Sequence, residues 1–388
     1  MARVVLAMSG GVDSSVAAGL LLQQGHEVLG LFMRHGQGLE EGAACPTAGR
    51  KQTTKDLSHN RPSQAERPSR TELPTGLGTG PKQGCCSAAD AADARRVADR
   101  LGIAFYALNF QAEFDRVIAY FMAEYLAGRT PNPCVVCNTW LKFGRLFEYA
   151  DSVQARYVAT GHYARIVQRA GEYALCQGVD RQKDQSYSLF GIRRDRLSRL
   201  LFPVGEYSKD GIRRLAADLG LRVADKPDSQ EICFVPERDH AAFIRQRGGA
   251  DTSGEIVTTE GQVIGRHPGL EHFTVGQRKG LKIALGEPRY VVRLEPQTRR
   301  VVLGHYQDLA RRELTARGAN WLIDEPHEPR SCQVMVRYRS RLLPARVESL
   351  DEGRFRVRFD EPCHGVAPGQ AVVCFDGDRV LCGAWIDS

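Results

Sequence analysis

The sequence predicts an α/β protein: a doubly wound parallel-sheet domain, then a small mixed central domain, then a C-terminal β-barrel. Three observations predict this class. Near the start, the apolar run Val4-Val5-Leu6-Ala7-Met8 passes through Ser9-Gly10-Gly11-Val12-Asp13-Ser14-Ser15 into a helix-like run from Val16 to Leu22. Up to about residue 160, strand-like and helix-like segments alternate, as in a parallel sheet with helical crossovers. Beyond about residue 272 the apolar period becomes two, in short runs separated by turn residues.

The elements follow in order. After the first strand and helix, Glu27 to Met33 reads as a second strand. Residues 36–84 contain no Phe, Trp, Tyr, Val, Ile or Met and carry five prolines, so they cannot bury enough apolar surface to offset their ordering entropy. A disordered insertion is expected there. Ser87 is placed as an N-cap with Asp90 in the first turn, and Gly102 ends that helix. Ile103 to Phe110 reads as a third strand, and Phe114, Val117, Ile118, Phe121 and Tyr125 recur at helical spacing up to Gly128. A further helix is expected from about Pro133 to Ala150, with Val136, Trp140, Phe143 and Phe147 on one face, then a short strand from Tyr157 to Thr160. Ser208 caps a helix carrying Ile212, Leu215 and Leu219. Seven period-two runs then argue for a barrel or sandwich: Tyr290–Leu294, Arg300–Leu303, Gln333–Tyr338, Ala345–Leu350, Phe355–Phe359, Ala371–Phe375 and Val380–Ile386. The expected domains are 1–205, 206–272 and 273–388.

Composition bounds the rest. The 388 residues are 42% hydrophobic and 26% charged, with a net charge of +7 that permits a polyanionic partner without demanding one. No apolar run approaches the ~20 residues of a membrane span, and no signal-peptide pattern opens the chain, so a cytoplasmic protein is expected. Eleven cysteines in a chain of this length do not read as a disulfide scaffold. Cys176, Cys332, Cys363, Cys374 and Cys382 lie in strand-like apolar runs and are expected to pack as small hydrophobes.

The glycine turn between first strand and first helix is an anion site. Helix N-termini present unpaired N–H groups and the positive end of the dipole, and Gly10 and Gly11 permit close approach. Ser9, Ser14 and Ser15 add hydroxyls. No GK[ST] follows, so this is not a Walker loop. It resembles the SGGxDSS pyrophosphate loop (PP-loop) of ATP-pyrophosphatases.

Two cysteine settings are unusual. In Thr130-Pro131-Asn132-Pro133-Cys134-Val135-Val136-Cys137-Asn138, Asn132 as N-cap and Pro133 at the first helical position make a sharp helix start. Thiols in such a first turn have lowered pKa values and enriched thiolate. The second is Cys233, within Asp228-Ser229-Gln230-Glu231-Ile232-Cys233-Phe234. If the fold joins the two segments, a nucleophile pair with sulfur relay, a disulfide, or three ligands to a metal cluster would each be open. A structural zinc site lacks its second CxxC or spaced His pair.

These segments occur in a telling order: SGGVDSS, Thr130–Asn138, Gly161-His162-Tyr163-Ala164-Arg165, Lys183-Asp184-Gln185-Ser186-Tyr187, Glu231–Phe234, Thr274–Gly280 and Val336-Arg337-Tyr338-Arg339. The set resembles the tRNA-specific 2-thiouridylase (MnmA/TrmU) family along the whole chain except 36–84. That resemblance implies ATP-dependent exchange of the C2 oxygen of a wobble uridine for sulfur in tRNAs for Lys, Glu and Gln. It implies ATP and Mg²⁺ as cofactors, with tRNA and a sulfur-donor protein, a cysteine desulfurase or a relay protein, as partners. Carried over by motif, Ala7, Met8, Ser9, Gly10, Gly11, Val12, Asp13, Ser14, Met33 and Gly161 would hold ATP. Cys137 would be the nucleophile and Cys233 the persulfide carrier. Asn132, Pro133, Cys134, His162, Lys183, Asp184, Gln185, Arg337, Tyr338 and Gln370 would meet tRNA. One departure stands out: the family commonly has Asp where this chain has Cys134. Thiolates at 134, 137 and 233 therefore admit an alternative, an iron–sulfur cluster with one iron open to sulfide.

Overall fold

A computed structural model of the chain describes residues 1–34, 87–227, 232–235, 239–281, 283 and 286–387. The insertion expected at 36–84 lies outside these residues. From the N-terminus, β1 (Arg3–Ala7), α1 (Val12–Gln23), β2 (Glu27–Arg34), α2 (Ala88–Leu101), β3 (Ala104–Asn109) and α3 (Gln111–Leu126) alternate as expected. Ser87 and Asp90 cap each other at the start of α2, and Gly102 closes it in the left-handed region. A helical stretch then runs in three parts: α4 (Pro133–Val136), a π-helical segment (Cys137–Arg145) and α5 (Leu146–Ser152). After it come β4 (Tyr157–Thr160), the hairpin β5 (Ala164–Arg169) and β6 (Glu172–Gln177), and the short β7 (Leu200–Leu201).

Strands β1 to β4 and β7 form a five-stranded parallel sheet in the order β3-β2-β1-β4-β7. Alternate side chains of β1 divide between its two faces, as strand geometry requires. Val5 and Ala7 join a core with Phe114, Phe121 and Phe147, while Val4, Leu6 and Met8 join one with Val16, Val97 and Ile212. Helices therefore cover both faces, and the strand order reverses between β1 and β4. Ligands of such sheets bind at this switch point, beyond the carboxyl ends of the strands.

The expected apolar face of the 133–150 helix needs one correction. Trp140 is 43% exposed, lying beside Tyr120 and under Arg116, whereas Leu141 is buried with Phe143. The π-helical hydrogen-bond spacing of five residues widens the turn and shifts the phase that an α-helical wheel assigns.

Helices α6 (Lys209–Asp218), capped by Ser208, and α7 (His240–Gln246) lead into β8 (Gly254–Thr258), β9 (Val263–His267), β10 (Tyr290–Glu295) and β11 (Arg300–Gly304). These four strands make one sheet, ordered β10-β11-β8-β9. The runs at 290 and 300, expected among the barrel strands, therefore pair with residues 254–267 instead. The barrel consists of β12 (Ala310–Trp321), β13 (Arg330–Met335), β14 (Leu343–Leu350), β15 (Arg354–His364), β16 (Ala371–Asp376) and β17 (Arg379–Ile386). It closes because β12 pairs with both β15 and β17, with a ladder shift on each side. Bulges of this kind bend a strand between two partners. Hairpin β5–β6 adds to the edge at β17 through Arg379 and Cys176, tying the first domain to the barrel sheet.

Candidate active site

Gly10 sits at φ +72°, and a Cβ there would overlap the Asp90 carbonyl oxygen, so the turn needs glycine for both conformation and space. Gly11, at the N-cap of α1, leaves the first turn without a side-chain cap. The hydroxyls expected to face phosphate are not all available. Ser15 is fully buried and donates to Gly11 O at 2.8 Å; Ser14 is nearly buried, accepts from Ser9 N and donates to Gly11 O. Their short side chains brace the turn, which leaves Ser9 as the exposed hydroxyl. Gly161, just past β4, abuts this turn so closely that a Cβ would stand 2.7 Å from Ser14 N. Met8 and Val12 are buried beneath the loop, and Met33, near the end of β2, packs on the core containing Val5 and Ala7.

Charged side chains frame this loop. Asp13 accepts from Tyr163 Oη at 2.7 Å and from Lys209 Nζ at 2.8 and 2.9 Å. Lys209 is only 6% exposed, and its ammonium lies over the Tyr163 ring. Lys226 Nζ donates to Gly10 O, Asp90 Oδ1 and Asp93 Oδ2 at 3.0, 2.6 and 2.7 Å. Burial alone would raise the Asp93 pKa, but hydrogen bonds from Lys226 and Arg96 outweigh it and hold the carboxyl below its usual range. Sequence reasoning missed both lysines and Tyr163. Lys209 did carry a signal, because a lysine in the first helical turn opposes the helix dipole and so needs an anionic partner.

The cysteine helix begins as its residues dictate: Asn132 accepts from Val135 N, and Pro133 opens the first turn. Gln370, at the base of β16, donates to the carbonyls of Thr130 and Pro131 at 3.0 and 3.2 Å, while Thr130 N donates to Pro368 O. The barrel thus holds the loop before the thiols. Cys134 is exposed and Cys137 half-buried at the start of the π segment. Cys233 is also half-buried, and the adjacent Phe234 ring lies 5.5 Å from that of Phe114 and 5.2 Å from that of Phe121. Cys137 and Cys233 both pack against the apolar core that holds Val5 and Ala7 of β1.

Of the eight described cysteines, Cys176, Cys363, Cys374 and Cys382 are buried, as expected of small hydrophobes, and Cys332 is partly so. Among the described residues no three His, Cys, Asp or Glu side chains are grouped to hold a metal ion. Nothing in the described residues thus points to the iron–sulfur alternative at Cys134, Cys137 and Cys233.

A second convergence joins the barrel to the first domain. Tyr338 Oη donates to Asp184 O at 3.1 Å, its ring lies 6.0 Å from that of Tyr187, and Cys134 is close enough to act on it electrostatically. Arg337 is exposed and donates to Val275 O. The Asn132 side-chain amide donates to the Tyr187 hydroxyl oxygen, which itself donates to Ala371 O. Asn132, Cys134, Asp184 and Tyr338 thus come together. Asp184 is itself buried, its carboxylate accepting from Gly178 N, Ser186 N and Ser186 Oγ; burial raises its pKa against those bonds. Gln185 pins Tyr163 by accepting from its N–H, and Lys183 is half-exposed in the same turn.

Some residues carried over as tRNA contacts have buried side chains. Pro133 and Gln370 serve the loop just described. His162 lies between the rings of Phe143 and Phe202, with Thr160 Oγ1 2.6 Å from Nδ1 and Lys142 Nζ 3.3 Å from Nε2. Burial, reinforced by the Lys142 charge, pushes its pKa well down, so the ring is neutral. The His162 side chain is thus buried, with its Nε2 toward Lys142.

A parallel five-stranded sheet with an SGGVDSS loop at its switch point, followed by a four-stranded sheet and a closed barrel, defines an ATP-pyrophosphatase-type protein with two appended β units. Residues 2–60 and 75–237 match the family model described as tRNA methyl transferase HUP domain, 241–305 the tRNA methyl transferase PRC-barrel domain, and 311–386 the aminomethyltransferase beta-barrel domain. The chain is 52% identical over 395 residues to the tRNA-specific 2-thiouridylase MnmA of Rhodopirellula baltica, covering 100% of this chain and 96% of that one. It is 44% identical over 390 residues to the same-named protein of Carboxydothermus hydrogenoformans (99% and 97% covered) and 45% over 398 to that of Solibacter usitatus (99% and 99%). The chain belongs to the tRNA-specific 2-thiouridylase family. Among its described residues, no helix is long and apolar enough to cross a membrane.

Proposed function

We propose that this protein replaces the C2 oxygen of a tRNA wobble uridine with sulfur, using MgATP as co-substrate in the cytoplasm. The observation that carries the reading is the SGGVDSS loop at the switch point of the parallel sheet, together with two half-buried thiols, Cys137 and Cys233, that pack against one apolar core. A methyl transfer, suggested by the wording of the family models, would need neither the pyrophosphate loop nor two half-buried thiols.

The loop residues Ser9 to Asp13, with Gly161 behind them, would hold the triphosphate, and Asp13, here bonded to Lys209, is the carboxylate that would hold the magnesium accompanying ATP. The uridine O2 attacks the α-phosphorus and pyrophosphate leaves, turning a poor carbonyl electrophile into an activated one. Cys233 arrives as a persulfide supplied by a sulfur-donor protein. Its terminal sulfur attacks C2, the C2–O bond breaks, and the electron pair leaves with AMP. Cys137 thiolate then attacks the Cys233 sulfur, so the S–S bond breaks toward the base. The products are 2-thiouridine and a Cys137–Cys233 disulfide, which an external dithiol must reduce. The uridine must leave the anticodon stack to react, at about a few kcal/mol. Tyr338, Arg337 and Lys183 supply the ring and charges that suit a splayed strand.

The test is reconstitution with ATP, Mg²⁺, a wobble-uridine tRNA transcript, a cysteine desulfurase and cysteine, followed by nucleoside mass analysis. Wild type should yield one 2-thiouridine per tRNA with AMP and pyrophosphate, and Cys233→Ala should yield none. Thiolation by a Cys137→Ala/Cys233→Ala double variant would overturn the thiol roles, and absence of 2-thiouridine with wild type would overturn the function.

A further inference from the structure

We propose that Lys142 is a catalytic cation of this reaction, hydrogen-bonding the phosphoryl group of the adenylated uridine and of the AMP that leaves it. This assignment rests on the thiolation reading above. Three observations carry it.

The first is how the ammonium is held. Lysine only donates, so His162 Nε2 accepts from Lys142 Nζ at 3.3 Å, and Nδ1 carries the ring proton and donates to Thr160 Oγ1 at 2.6 Å. Thr160 is the last residue of β4, and the next residue, Gly161, abuts the backbone of Ser14 at the nucleotide loop. Lys142 is thus hung from the strand end that forms one wall of that loop. Phe143 and Phe202 flank the imidazole and fix its plane.

The second is the π segment. It begins at Cys137 and includes Lys142, five residues on. In an α-helix, at 3.6 residues per turn, five residues would carry Lys142 about 140° round from Cys137. Hydrogen bonds spaced i to i+5 widen the turn and reduce that offset. One segment therefore carries both the proposed nucleophile and a cation, and π segments recur at functional sites.

The third is charge balance. Lys209 and Lys226, the other lysines near the loop, are matched by carboxylates. Lys142 is half-buried, yet among the described residues no carboxylate pairs with it. A neutral acceptor orients the ammonium without spending its charge. Such a group binds an anion at little reorganisation, which is what a phosphoryl leaving group requires. Lys142 gives up no proton in the step; it balances charge as the C2–O electron pair passes to AMP.

The test uses purified full-length Lys142→Met and Lys142→Arg with the reconstituted system. Lys142→Met should lower kcat for 2-thiouridine formation about 100-fold, the scale of losing one transition-state donor. Its Kd for a non-hydrolysable ATP analogue and its melting temperature should match wild type, and Lys142→Arg should recover to within about tenfold of wild-type kcat. His162→Gln, acting only through Lys142, should show a smaller fall in kcat at unchanged ATP affinity. Wild-type kcat in Lys142→Met overturns the assignment. So does a loss that tracks weakened ATP binding or lowered melting, which would make Lys142 structural. Failure of wild type itself to thiolate would strike the function proposed above, not this residue alone.

Discussion

Replacing Lys226 by Met removes one ammonium that clasps the nucleotide loop at Gly10 O and the start of α2 at Asp90 and Asp93. Bonds to charged groups contribute about 1.5–3 kcal/mol each, but they are not additive and this site is part-solvated. Lys226 is 29% exposed in its side chain, with Asp90 and Asp93 at 13% and 24%, so the discount for screening is moderate. The net cost is about 2–3 kcal/mol, much of it from leaving two carboxylates together without their cation. At roughly 2–4 °C per kcal/mol for a domain of this size, the first thermal transition should fall by about 4–12 °C. Differential scanning calorimetry reads this directly, and titration with an ATP analogue should show weaker binding because the loop loses its brace.

The pH dependence adds a sharper requirement. Asp93 titrates below its ordinary 3.8 in the folded state, so its contribution is complete above that value and fades as pH falls through the lower folded pKa. Lys226 is affected first by burial, which opposes its charge, but the two carboxylates win and raise its pKa above 10.5. Its contribution is complete below 10.5 and fades above. The gap between wild type and variant should therefore be flat from pH 5 to 9 and shrink below about pH 3.8. A gap that opens or closes near neutrality, or a melting temperature unchanged by the substitution, refutes the latch.

Further predictions follow from the same geometry. Gly10→Ala should destabilise by about 2 kcal/mol or more, since a left-handed residue with a Cβ costs about 1–2 kcal/mol before any clash with Asp90 is counted; urea unfolding and ATP-analogue binding should both report it. His162 is held well below 6.5, so unfolding gains a proton as pH drops beneath that value; wild-type stability should decline below about pH 6.5, and His162→Asn should flatten that portion of the curve. Gln370→Ala leaves the carbonyls of Thr130 and Pro131 without their barrel donor, and should raise proteolytic nicking near residue 130 and slow thiolation more than it lowers ATP affinity.

What could be read from the sequence was what local chemistry fixes. The Ser87–Asp90 cap, the Asn132–Pro133 helix start and the alternation of β1 between two cores all follow from short-range rules. Strand β12 was invisible because Ala310–Trp321 buries only Leu314 and Ala316, and a left-handed Gly318 interrupts it. Sheet membership was also illegible, since the runs at 290 and 300 alternate like barrel strands and only long-range pairing assigns them elsewhere. The SGGVDSS loop and both thiol segments were legible as motifs; Lys209 and Lys226, contributed from far along the chain, had no motif to announce them.

The barrel is more than an appendage, because its contacts reach the chemistry from two directions. Gln370 and Pro368 fix the loop that aims Cys134 and Cys137, and Tyr338 is bonded to the turn that carries Lys183. The same turn, through Gln185, pins Tyr163, whose hydroxyl touches Asp13 of the nucleotide loop. A chain of bonded groups therefore runs from an exposed barrel tyrosine to the phosphate site, through hairpin-flanking residues of the first domain. An RNA strand bound at Tyr338, as proposed, would press on that chain at one end while ATP loads the other. If this linkage is energetic and not merely spatial, Tyr338→Phe should weaken the coupling between tRNA and ATP binding, not just tRNA affinity. Binding of an ATP analogue measured with and without tRNA gives the coupling directly as a ratio of two Kd values. A ratio unchanged by the substitution would mean that the two sites share a scaffold and nothing else.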